Sequence, residues 1–133
     1  MNEKNVSFKP FSMDTIDPKA EIDALFIMPE YVTKAAESEY AEIYHKLPYP
    51  IFWMDSKKPH YAFTEPDLNL ENAPGNFNYY AYGYLYQDKQ RGAKGWSIGL
   101  DNHEKNEENI REAFSNIFKI IIDEKEKGGI FHQ

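Results

Sequence analysis

The chain has 133 residues, 41% of them hydrophobic and 16% aromatic, with 15 basic against 22 acidic side chains and a net charge of −7. That length holds one domain, and so high an apolar content excludes a disordered chain. The absence of cysteine excludes disulfides, thiolate metal sites, iron–sulfur clusters and cysteine nucleophiles.

The acidic balance repels polyanions, so nucleic acid and anionic membrane are not expected as partners, whereas a basic protein would suit it. Met1 to Lys9 lacks the apolar centre of a signal peptide, and no apolar run is long enough to span a bilayer. The expected location is therefore the cytoplasm.

All 8 prolines fall at or before Pro74 and all 7 glycines at or after Gly75, with no internal repeat. Residues 1–16 read as an irregular lead with Phe8, Phe11 and Met13 as its available anchors, and 17–133 as one domain. Asp17-Pro18 has the form of a helix start, a capping aspartate before a proline whose φ is already set. The helix would run to about Met28 with Ile22, Leu25 and Phe26 inward; a buried strand through Leu25 to Met28 is the competing assignment. Val32, Ala36, Tyr40, Ile43 and Leu47 form a stripe that predicts a second helix over Glu30 to Leu47, stopped by Pro48 and Pro50.

Two short strands follow, Ile51 to Asp55 and His60 to Glu65, then a loop from Pro66 to Gly75. A strand over 76–87, a polar turn at 88–93 and a strand from Lys94 to Asp101 read as a hairpin. Glu104 to Lys127 is the last helix, with Ile110, Phe114, Ile117, Phe118 and Ile121 on one stripe and Gly128-Gly129 as its exit. Helices gathered before and after a meander predict an α+β domain: a small antiparallel sheet of about four strands, two N-terminal helices and one long C-terminal helix.

The most specific pattern lies in the hairpin, where Tyr80, Tyr82, Tyr84 and Tyr86 occupy alternate positions and so share one face of a strand. Phe77, Tyr79, Ala81, Gly83 and Leu85 form the other face. Pairing Gln87 with Lys94 sets Leu85 opposite Trp96, Gly83 opposite Ile98 and Ala81 opposite Leu100. It also lays the tyrosines across Gly95, Ser97 and Gly99 as a flat aromatic shelf. A shelf of four half-exposed tyrosines would be as large as the biggest apolar patch of an ordinary monomer, so something is expected to cover it. The candidates are the chain's own lead or helices, a protein partner or second copy, or a small ligand or nucleic-acid base.

Lys89 and Arg91, with Lys94, stand at the end of this shelf. The partner-binding residues expected from sequence are therefore Tyr80, Tyr82, Tyr84, Tyr86, Lys89 and Arg91. Glu37, Glu39 and Glu42 on the second helix offer a negative patch as the other candidate surface.

Catalytic signals are thin. The four histidines, His45, His60, His103 and His132, have no ligand spacing, and no phosphate loop, GxSxG or HExxH occurs. No cofactor, metal site or catalytic residue is indicated. The function expected is a small acidic protein-binding module, of the kind that inhibits a basic or nucleic-acid-acting partner, as phage anti-defence and toxin-immunity proteins do. The alternative is a small enzyme or ligand-binding domain whose site is built from scattered histidine and carboxylate near His60 or His103.

Overall fold

A computed structural model describes residues 8, 10, 16–37, 40–55, 63, 79–100 and 104–131. Four strands form one sheet in the order β1 (Leu25–Ile27), β2 (Ile51–Met54), β3 (Ala81–Asp88) and β4 (Gly92–Ile98). β1 runs parallel to β2, and the other two pairings are antiparallel. The sheet is therefore mixed, and the all-antiparallel meander expected from the sequence is corrected.

The correction comes from the first helix, which does not form. Asp17 caps only a turn, through Lys19 N–H to its carboxylate at 2.9 Å and Ala20 N–H to its carbonyl at 3.1 Å. Ile22 is left exposed, whereas Leu25 and Ile27 are buried on one side of a strand and Phe26 packs on the other. Alternate burial on two covered faces favours the extended chain that competed with the helix.

The second helix is broken. A 3-10 turn over Pro29–Tyr31 leads into α1 (Val32–Ala35), and α2 (Ala41–Tyr44) follows after an interruption. The Tyr44 hydroxyl donates to the Ala35 carbonyl at 2.8 Å, tying α2 to the end of α1. Tyr44 is itself fully buried, and burial pushes its phenol pKa up.

The last helix, α3 (Glu107–Phe131), forms as expected but starts later, at the Asn106 cap, and continues through Gly128-Gly129. Of the strand expected at His60 to Glu65, Phe63 alone is described, and it is helical and buried. Phe11, Met13, Phe77 and the loop from 66 to 75 lie outside the described residues. The Phe8 ring lies 5.9 Å from Phe26 and 6.3 Å from Phe118 while remaining largely exposed.

Register places the sheet between two helical layers. Leu25, Ile51 and Tyr84 align on one face with Ile27, Trp53 and Tyr82, and α1, α2 and Phe63 cover most of it. Phe26, Phe52, Gly83 and Trp96 align on the other face with Met54, Ala81 and Ile98, under Phe114, Ile117, Phe118 and Ile121 of α3. Trp96 and α3 thus share a core, as their two apolar stripes require.

Gly83 is the thin point of that second face. A Cβ there would lie 2.6 Å from Phe52 Cε1 and 3.0 Å from Trp96 Cε3, so only glycine lets the large rings close over β3.

Candidate functional site

The hairpin is two residues tighter than expected. Gly83 pairs with Trp96 and Ala81 with Ile98, so the pairs expected between Leu85 and Trp96, Gly83 and Ile98, and Ala81 and Leu100 do not form. Lys89, Gln90 and Arg91 alone form the turn, which Gly92 ends at φ +73° beside a register shift between Tyr86 and Asp88. A short turn closed by a left-handed glycine is a standard hairpin solution. Because the shift is an even number, each residue keeps its face.

The tyrosines are not a shelf. Tyr82 is 2% and Tyr84 3% exposed, and Tyr86 is partly buried. Tyr84 sits 6.4 Å from Trp53 and shares a 2.6 Å hydrogen bond with His45 Nδ1, while the His45 ring meets Tyr84 and Tyr86 edge-on at 5.7 and 5.5 Å. For Tyr84 and Tyr86 the chain's own helical layer provides the cover that the pattern demanded.

Tyr80 leaves the row altogether. It lies on a bend before β3 and packs against the core beneath α3. The bend is held by Tyr80 N–H to the Ile98 carbonyl at 2.7 Å and by Asp55 N–H to the Tyr80 carbonyl at 2.5 Å, with Asp55 at φ 53°. Lys105 forms an ion pair with the Asp55 carboxylate, which raises the lysine pKa. Burial, with Asp55 adding and Lys105 opposing, raises the Tyr80 phenol.

Lys89 and Arg91 are exposed at the hairpin tip, apart from the buried tyrosines. The Arg91 backbone N–H and Nε bond Asp88 at 2.7 and 2.8 Å and hold its carboxyl below the ordinary range. Lys94 instead turns toward α3 and pairs with Glu124 at 2.6 Å. The three cations therefore do not gather into one patch.

His60, His103 and His132 lie outside the described residues. Among the described residues no group of three or more His, Asp or Glu side chains could hold a metal ion, and no helix is long and apolar enough to cross a membrane.

Among the described residues the outer side of β4 is open. β4 is the last strand, and no described strand pairs on its outer side. Ala93, Gly95, Ser97 and Gly99 are all exposed, so the helical cover over Tyr84 stops short of it. Where β4 ends, Gly99 and Leu100 form one wall of a groove of about 430 Å³. Asn109, Glu112, Ala113 and Asn116 of α3 form the other wall. Asn109 is held there by its N–H to Asn106 Oδ1 at 2.8 Å and its Nδ2 to the Glu104 carbonyl at 2.9 Å.

The small-residue alternation in β4 is visible in the sequence, as the floor beneath the tyrosines. The groove was not visible, because nothing in the pattern fixes which flank of α3 borders β4. Comparison with protein-family models, curated proteins and solved structures finds no match to this chain.

Proposed function

We propose that this chain is a protein-binding module that takes an extended segment of a basic partner onto the free edge of β4. The observation that carries this is that no described strand pairs on the outer side of β4, which presents a row of exposed small residues at 93, 95, 97 and 99. Edge strands present unpaired N–H and C=O groups, and proteins usually blunt them with lysine, proline or a covering loop. β4 contains no proline, and its one charge, Lys94, is already paired with Glu124 of α3. Small exposed side chains let another backbone approach, and strand addition draws its affinity from main-chain hydrogen bonds.

The net charge of −7 selects the partner's sign and speeds its encounter. An acidic module that occupies a strand of a basic protein fits the inhibitor role expected from composition, with a nuclease or another nucleic-acid-acting enzyme as the class of target. The binding surface is thereby transferred from the tyrosines to the edge.

Ser97→Lys tests this. The position is exposed, so the substitution is expected to change stability by no more than about 0.5 kcal/mol. A lysine on the edge guards it and repels a basic partner, and capture of the partner from native-host lysate is expected to fall by about tenfold or more. Undiminished capture by a folded Ser97→Lys protein would exclude the edge.

A further inference from the structure

We propose that the groove at the end of β4 reads one lysine or arginine side chain of the added segment. This rests on the strand-addition reading. β4 and α3 run side by side in opposite senses: Lys94 meets Glu124 late in the helix, and Gly99 and Leu100 meet Asn109, Glu112 and Asn116 early in it. One flank of α3 therefore reaches β4 near both of its ends. An added strand would lie about 4.8 Å beyond β4, and alternate side chains would point toward this flank.

The flank differs in charge from one end to the other. Beside the start of β4, Glu124 is already matched by Lys94 at 2.6 Å. Beside its end, Glu112 faces the groove with the two carboxamides, and among the described residues no cation pairs with it.

A carboxylate beside amide oxygens suits an ammonium or guanidinium group, whose several N–H donors need several acceptors. An apolar side chain there would strip water from the polar lining and return no hydrogen bonds. An acidic one would meet Glu112 directly. The groove thus sets both the sign and the register of the incoming segment.

The test uses a blocked, fluorescent peptide alternating valine and threonine with one central lysine, and the same peptide with that lysine Nε-acetylated. Wild-type protein is expected to bind the lysine peptide about fivefold more tightly than the acetylated one, as an exposed-to-half-buried ion pair allows. Glu112→Gln is expected to remove that preference while still binding the acetylated peptide at wild-type strength. Equal binding of the two peptides by wild type, or a preference that survives Glu112→Gln, overturns the groove's role and leaves strand addition standing. If neither peptide binds, strand addition fails and the groove's role fails with it.

Discussion

Serine at both Tyr82 and Tyr84 is expected to abolish cooperative folding. Both rings are buried, at 2% and 3% exposure, and Tyr84 belongs to the core between the sheet and α1, α2 and Phe63. Truncating a large buried aromatic costs about 3–5 kcal/mol, and whole domains are stable by only about 5–15 kcal/mol. The two losses are not strictly additive, because Tyr82 pairs with Trp53 across the sheet and the Tyr84 ring lies 6.4 Å from it.

The serine at 84 also removes the group that meets His45 Nδ1, leaving a half-buried imidazole nitrogen without that bond. Thermal circular dichroism reads the outcome directly. A melting temperature within a few degrees of wild type would place the row outside the core. Tyr84→Phe, which keeps the ring and removes only the hydroxyl, is expected to cost about 1–3 kcal/mol.

Phe114→Ala carries the next largest effect, on the opposite face. Phe114 is 9% exposed and its ring lies 5.9 Å from Phe26 and 6.0 Å from Phe118. Phe26 in turn stacks on Phe52 at 5.7 Å, so Phe114 closes a run of rings from α3 down to the sheet. Phe52 presses against Gly83, which leaves little room for the rings to collapse into a vacancy. Where collapse is blocked the cavity persists, and a loss of about 3–5 kcal/mol is expected from urea unfolding. Ile122→Ala on the same helix, 57% exposed, is the control and is expected to change stability by less than about 0.5 kcal/mol. Similar losses for the two would contradict the packing of α3 on this face.

The strong periodic patterns were legible in the sequence. α3 and the hairpin stand where Ile117, Phe118 and the alternating tyrosines put them, because a long stripe and a long alternation each exclude the other secondary structure. The first helix was misjudged because Leu25, Phe26 and Ile27 are a continuous apolar run. Such a run fits a strand buried on both faces as well as a helix, and the capping signal at Asp17-Pro18 served a turn. The stripe from Val32 to Leu47 does not show that the helix stops at Ala35 and resumes at Ala41.

The tyrosine alternation fixed a shared face for Tyr82, Tyr84 and Tyr86, but periodicity does not say what lies above a face. That depends on parallel pairing of β1 with β2, which brings the segment between them across the sheet. Tyr80 was misplaced by a local cause, the Asp55 bend, which has no periodic signature. At the candidate site, the small residues of β4 could be read and the groove beside Glu112 could not.

The most direct test of a free binding edge is residue-resolved amide hydrogen exchange along Gly92 to Ile98, first in the free protein and then with the captured partner. An open edge leaves every second N–H of a strand without a partner, so alternating fast and slow amides are expected in the free protein, becoming uniformly slow in the complex. Uniform protection in the free protein, or fast amides that remain fast when the partner is bound, would contradict strand addition at β4.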